Sequence, residues 1–399
     1  MKDIYLNMTH FCNMECPRCY LPSEMRKDRA IMSADTLRKI VSMKCVEQVE
    51  NEDPITLCWL GGEVLTIPMD TLKEFRKVIA EVAPHARNRL TTNIFSITNE
   101  QIDFIKETFY SIETTYAAGN KMSLDGSEEK YQERFKKNLK RLTDAGILCH
   151  VNVELNDSTI KAGVKHIISL AKETGQKSWE FDISVAFDKI FNEGVKVNEY
   201  MYATDVPLTI TYRDWADYVI QFIRDHNDEM KELGIRIGFL DSCFSKENEP
   251  FFNTMKTHDY LTATPNGDIL GAPVFAAIKP IHYGNIHENS EDEILNHPTK
   301  VMHTAYEHVG RFHNENCGTC EYFDECKGGF SCVPITDGSG ECIGMKSIRD
   351  FIESYREQYI ANPENYWNPS PELPQMLIES ECIKNCSICM HLNCEDRKQ

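Results

Sequence analysis

Through the first half of the chain, short apolar runs alternate with longer stretches in which apolar residues recur every three or four positions. That is the pattern of buried strands followed by crossover helices. Ile4-Tyr5-Leu6 is the first strand-like run, and Ser33 has the chemistry of an N-cap for a helix carrying Leu37, Ile40 and Val41. Residues 55–60 read as a strand that ends in Gly61-Gly62-Glu63. A helix over 69–82 then leads to a short strand at 89–93, and a helix over 99–107 leads to a strand at 109–115. A helix at 128–145, a strand at 147–155, a helix at 162–173 and a strand at 179–186 complete the series. Strand and helix in strict alternation predict an α/β fold with a parallel sheet. Five or six such units fit a partial (β/α)6 barrel.

Between the first strand and the first helix lies Cys12-Asn13-Met14-Glu15-Cys16-Pro17-Arg18-Cys19-Tyr20. Three thiolates at C-x3-C-x2-C spacing can hold three corners of a [4Fe-4S] cube and leave one iron open to bind and reduce a ligand. A structural zinc completed by His10 is the competing reading of the same residues. This strand and loop resemble the radical S-adenosylmethionine (SAM) superfamily. The resemblance implies that Cys12, Cys16 and Cys19 hold the cluster, that SAM chelates the open iron, and that Tyr20 packs beside the adenine. Gly61, Gly62 and Glu63 resemble the family's GGE motif, whose glycines approach the methionine part of SAM and whose glutamate receives its ammonium; Val64 stands where the family has proline. Thr92 and Asn93 occupy the place of a Thr-Asn-Gly, with Ile94 replacing the glycine. Met122-Ser123-Leu124-Asp125-Gly126 also resembles a fourth-strand motif, but 117–121 makes a poor strand and 109–115 a good one. Ser123 and Asp125 are therefore candidate loop residues only.

A second cysteine group, Cys317, Cys320, Cys326, Cys332 and Cys342, sits in a glycine-rich stretch with little apolar surface, so metal is expected to help it fold. Upstream, 263–270 reads as a hairpin with an Asn-Gly turn, followed by Gly284-Asn285-Ile286 and a short helix at 291–296. That order resembles the SPASM domain appended to many radical SAM enzymes. On this resemblance Cys317, Cys320, Cys326 and Cys342 match the distal auxiliary cluster. The proximal cluster lacks its cysteine after the hairpin, where Gly271-Ala272-Pro273 stands, and keeps only Cys243 and Cys332. Either of these two is a candidate hydrogen-atom donor or a cluster ligand. The tail adds Cys382, Cys386, Cys389 and Cys394, with His391 nearby; they could hold a cluster, complete the proximal site, bind zinc or do neither. Cys45, Cys58 and Cys149 lie in apolar contexts and read as core residues. The expected domains are 1–235, the barrel; 236–355, the SPASM-like domain; and 356–399, a proline-containing linker and tail.

Composition narrows the picture. A chain of 399 residues with a formal charge of −19 does not suit a nucleic-acid partner, which needs clustered Lys and Arg. No apolar run is long enough to span a membrane or act as an export signal, so a cytoplasmic setting is expected. There, sixteen cysteines favour metal ligation over disulfides. The resemblance implies reductive cleavage of SAM to a 5′-deoxyadenosyl radical, with a flavodoxin or ferredoxin as reducing partner. Hydrogen abstraction from a substrate carbon follows. SPASM relatives favour maturation of a ribosomally made peptide by crosslinking, epimerisation or oxidation. No leader-recognition domain fits before Ile4, which keeps an aminocyclitol or sugar dehydrogenase or epimerase in view as the alternative. A non-catalytic iron-sulfur carrier would need neither an open-iron motif nor the GGE turn. Pro273-Val274 offers no carboxylate where oxidising relatives often carry an aspartate.

Overall fold

The computed structural model describes residues 3–47, 54–192, 207–245, 259–278, 281–312, 314–329 and 333–368. Among these residues ten strands form one sheet: β1 Asp3–Thr9, β2 Thr56–Gly61, β3 Arg87–Thr91, β4 Ser111–Tyr116, β5 Cys149–Leu155, β6 Ser178–Ile183, β7 Arg236–Ile237, β8 Tyr260–Ala263, β9 Asp268–Leu270 and β10 Gly284–Asn285. Their order is β10-β9-β8-β1-β2-β3-β4-β5-β6-β7. β1 through β7 pair in parallel, each with its neighbour. This is the expected partial (β/α) barrel, joined to a cysteine-rich C-terminal region. No described helix is long and apolar enough to cross a membrane.

The alternation along each strand sorts side chains onto two faces. On β5, Cys149, Val151, Val153 and Leu155 are fully buried beneath the helices, whereas His150, Asn152 and Glu154 point to the other side. The helices meet the sheet with matching stripes: Glu128–Asp144 buries Tyr131, Phe135, Leu139 and Leu142 at successive turns, and the Ser127 side chain caps its start. Trp59 of β2 anchors the same layer, with the Phe109 ring 5.1 Å away edge-on and Phe75 at 6.3 Å. Such aromatic pairs contribute about 1 kcal/mol each beyond their buried area.

Several boundaries differ from expectation for local reasons. The helix expected at 162–173 is two helices, Asp157–Ala162 and Val164–Thr174, because Gly163 between them takes φ +79°, which ends one helix and redirects the chain. The hairpin forms as expected, with Gly267 at φ +87° in its turn. β8 pairs in parallel with β1, so the hairpin prolongs the barrel's own sheet. The expected linker from 356 begins inside the helix Lys346–Ala361, and Trp367 is buried beyond it, its indole nitrogen donating to the Ile235 carbonyl at 2.8 Å. Cys149 lies in the core; Cys58 is equally buried but faces the polar side of the sheet, where Arg89 Nη2 reaches its sulfur at 3.0 Å.

Candidate active site

The cysteine loop is tied to four other segments. Its start is bound by β2's exit: the Gly62 amide donates to the Thr9 carbonyl at 2.7 Å, and the Glu63 amide to the Phe11 carbonyl at 2.8 Å. From the end of β3, Asn93 Nδ2 donates to Asn13 Oδ1 at 2.9 Å and lies 3.7 Å from Cys12 Sγ. From the segment after β4, the Met122 carbonyl accepts from the Glu15 amide at 3.0 Å, and Asn120 Oδ1 accepts from the Arg18 amide at 2.9 Å. Met14 and Ser123 form an isolated antiparallel bridge between the same two segments. The following helix closes the ring, as the Cys12 amide donates to the Arg26 carbonyl at 3.1 Å.

The two glycines have a use that the motif alone did not reveal. A Cβ on Gly61 would lie 2.2 Å from the Thr9 carbonyl oxygen, and one on Gly62 would lie 2.2 Å from that of His10 and 2.3 Å from that of Phe11. Their close approach is to the backbone that carries the cysteines. Glu63 is likewise committed to protein: its buried carboxylate accepts from the Leu65 amide at 2.9 Å, the Thr92 hydroxyl at 2.8 Å and the Asn93 amide at 2.7 Å. Glu63, Thr92 and Asn93 thus form one network beneath Cys12. Ile94, in the place of the family's glycine, takes φ +48°, a left-handed conformation that is strained for a β-branched residue. Tyr20 turns its hydroxyl toward the Gly61 carbonyl at 3.4 Å. Ser123 and Asp125 are in the loop after β4, hydrogen-bonded to one another, with Asp125 also paired to Lys130.

Charge is distributed unevenly here. Burial pushes the Cys12 thiol up to about 12, with Glu63 and the other two cysteines adding to the effect. Burial raises Cys19 as well. Buried thiolates that repel one another need a cationic centre to stay ionised. An iron-sulfur core held at separate corners supplies that centre, so the donor set fits a cube. On the polar face of the sheet, Glu113 pairs with Arg89 at 3.2 Å, and Glu154 accepts from Asn120 Nδ2 at 2.8 Å and the Ser184 hydroxyl at 2.5 Å. Asp182, the register partner of Glu154, has no hydrogen bond or ion pair among the described residues. Burial, with Glu113 and Glu154 adding repulsion, pushes it up to about 7.

Sequence reasoning passed over Glu154 and Asp182. Glu154 and Asp182 were accessible in principle. Alternation along the strands places both on the polar face near the C-terminal ends, where barrels build their sites.

The second cysteine group also converges. Cys317, Cys320, Cys326 and Cys342 line one cavity together with Arg349. A Cβ on Gly344 would stand 2.5 Å from Cys326 Sγ and 3.6 Å from Cys342 Sγ, so the cavity wall is backbone brought close to the sulfurs. Four thiols around one space fit a fully ligated cube. Cys243, in the helix Gly238–Ser245, is buried beside this group: burial pushes its thiol up to about 11, and Arg349 draws it down while Glu325 and Cys326 act against that. Where a proximal cluster would take its cysteine after the hairpin, Leu270, Ala272, Phe275 and Ile281 pack on Leu21, with Cys19 and Tyr20 against them. Cys332 and the tail group Cys382, Cys386, Cys389 and Cys394 lie outside the described residues.

No protein-family model matches the chain, and neither does any curated protein sequence. Solved structures do. Native anSMEcpe with bound AdoMet and Cp18Cys peptide superposes with a TM-score of 0.68 at 14% identity, covering 90% of this chain and 98% of that one. SuiB of Streptococcus suis bound to its precursor peptide SuiA superposes with a TM-score of 0.54 at 16% identity, covering 82% of this chain and 71% of that one. Both are radical SAM enzymes. The chain shares their fold. Within that fold, the loop after β1 and the ends of β2 and β3 are the segments that surround the three cysteines.

Proposed function

We propose that this chain is a radical SAM enzyme that modifies a peptide. The observation that carries the proposal is the set of bonds that fixes the Cys12–Cys19 loop against Gly62, Glu63 and Asn93 within a fold shared with enzymes of that class. Cys12, Cys16 and Cys19 would hold a [4Fe-4S] cluster with one open iron. When bound, cluster and SAM supply reductive cleavage to a 5′-deoxyadenosyl radical, which takes hydrogen from an unactivated carbon. The protein's own part is positional. Glu63 and Asn93 hold the loop in register with β2 and β3, and Tyr20 closes one side against the apolar residues after the hairpin. Cys317, Cys320, Cys326 and Cys342 would hold an auxiliary cluster.

A peptide substrate is supported by two neighbours whose structures contain one, Cp18Cys in anSMEcpe and SuiA in SuiB. The test is anaerobic reconstitution with iron and sulfide, followed by SAM and dithionite. Formation of 5′-deoxyadenosine and methionine by the native chain is expected, and a Cys12, Cys16, Cys19 triple alanine variant that still made them would overturn the reading. Mass analysis of a precursor peptide encoded beside the chain then tests the substrate class.

A further inference from the structure

Asn93 commits its side-chain amide to the cysteine loop. Nδ2 donates to Asn13 Oδ1 at 2.9 Å and to Cys12 Sγ at 3.7 Å, within reach of a hydrogen bond to the larger sulfur atom. On the other side, Asn93 Oδ1 accepts from the Phe95 amide at 2.9 Å. A backbone N–H needs an acceptor, so that contact assigns the amide, with oxygen toward Phe95 and nitrogen toward the sulfur. The turn that presents Phe95 is itself clamped: Asn138 Nδ2, from the helix Glu128–Asp144, donates to the Ile94 carbonyl at 2.7 Å and reaches that of Phe95 at 3.3 Å. The Asn93 backbone N–H goes to Glu63 Oε2 at 2.7 Å, so the residue stands between that carboxylate and the Cys12 sulfur. Among the described residues no other side chain donates to the sulfur of Cys12, Cys16 or Cys19, and Cys19 Sγ accepts from the Leu21 backbone amide at 3.4 Å. The cations of the loop and of the short helix Ser23–Lys27 are directed to carboxylates: Arg18 to Asp157 at 3.8 Å, Arg26 to Glu15 at 3.0 Å and Lys27 to Glu24 at 2.8 Å.

We propose that Asn93 is a hydrogen-bond donor to the cluster ligand Cys12 and that this bond sets the reduction potential of the N-terminal cluster. Sulfur bound to iron keeps negative charge, and an N–H held against it stabilises the reduced cluster, which carries one more electron, over the oxidised one. The donor is held in place before any cluster binds, because Phe95, Asn13 and Glu63 fix the other polar groups of the residue. Asn93 acts through Cys12 and touches no reacting atom, so it is a positioning residue, and its effect is read as a potential. The inference rests on the radical SAM reading above.

The experiment is an EPR-monitored redox titration of the full chain, reconstituted anaerobically, in which the N-terminal cluster is recognised as the one whose signal changes on adding SAM. Asn93→Leu is close in size, lacks a donor and leaves every charge around the loop in place, Glu63 and Lys121 included. It is expected to lower the ratio of reduced to oxidised cluster about tenfold at a fixed potential, equivalent to about 59 mV for a one-electron couple. Asn93→Asp keeps the oxygen that the Phe95 amide requires and loses the N–H, so it should lower the ratio at least as far; it supplies a separate reading if Asn93→Leu fails to take up iron. Asn13→Ala removes the other partner of Nδ2 but not the contact with sulfur, and should stay within about twofold of the native protein by the same conversion. A ratio within about twofold of native in Asn93→Leu or Asn93→Asp, or a fall in Asn13→Ala as large as that in Asn93→Leu, would overturn the inference. Absence of any SAM-sensitive signal in the native chain would instead overturn the enzyme reading on which it rests.

Discussion

The two cysteine groups of this chain use one donor chemistry in opposite architectural settings. Cys12, Cys16 and Cys19 depend on distant sequence: β2, β3 and the segment after β4 each send a residue to bond their loop, from as far away as Asn120. Cys317, Cys320, Cys326 and Cys342 depend on neighbours. Cys317 and Cys326 sit on single-turn helices, Glu315–Gly318 and Phe323–Cys326, Cys320 lies between these, and Cys342 is on the loop leading to Lys346–Ala361, which returns Arg349 to the same cavity. A site built from several strand ends can leave a coordination position open and hold it accurately, because the rigid sheet bears the constraint. A local site has little apolar surface, and its four donors would close on a metal that helps them fold.

That contrast predicts unequal responses to damage. The largest effect should follow loss of the N-terminal donors: the Cys12, Cys16, Cys19 triple alanine variant should make no 5′-deoxyadenosine above background. Replacing Cys317, Cys320, Cys326 and Cys342 should leave that cleavage measurable. Equal loss from both would erase the distinction between an open and a closed site.

Next in size is the response to a single methyl group. Gly62→Ala forces a Cβ against two carbonyls of the cysteine loop, and overpacking of this kind costs about 3 kcal/mol. Because the loop is bonded into the sheet, the cost should appear in global urea unfolding. Gly344→Ala meets Cys326 Sγ instead and should act locally. The native protein should carry about eight irons, or about twelve if the tail holds a third cluster, and this variant about four fewer, four being the content of one cube. Its unfolding midpoint in the metal-free state should barely move. A Gly344→Ala protein with full iron content would show that the second group does not close around a cluster.

The smallest effect concerns Asp182. In the unfolded chain its carboxyl loses its proton near pH 4, whereas burial and the two neighbouring carboxylates keep the folded form protonated up to about 7. The folded state therefore holds the extra proton between those values, and its contribution to stability declines as pH rises from 4 to 7 and is level above. Asp182→Asn should remove that decline and be more stable than the native protein at pH 8, on the order of 2 kcal/mol once solvent screening is allowed for. Urea unfolding at pH 5 and pH 8 measures it. An identical pH slope in both proteins would mean that Asp182 finds a cation in the fold.

Much of this molecule was legible before folding. Strand and helix alternate in periods of two and 3.6, and these periods follow from local backbone geometry, so β1 to β6 and the helices Met69–Val82 and Glu128–Asp144 were placed to within a few residues. The three-cysteine loop was legible because its ligands are neighbours in sequence. What the chain could not show was anything set by pairing between distant segments. The glycines of the Gly-Gly-Glu turn crowd Thr9, His10 and Phe11, and only the β1–β2 register brings those atoms together. The apolar packing of Leu270, Phe275 and Ile281 on Leu21 depends on β8 joining the far edge of β1. Spacing along the chain therefore determined which residues can act as ligands and which segments can be strands. The tertiary fold decided which charges meet: Glu154 and Asp182 lie far apart in sequence and in ordinary local contexts, and they become neighbours only because β5 and β6 pair in parallel near one rim of the barrel.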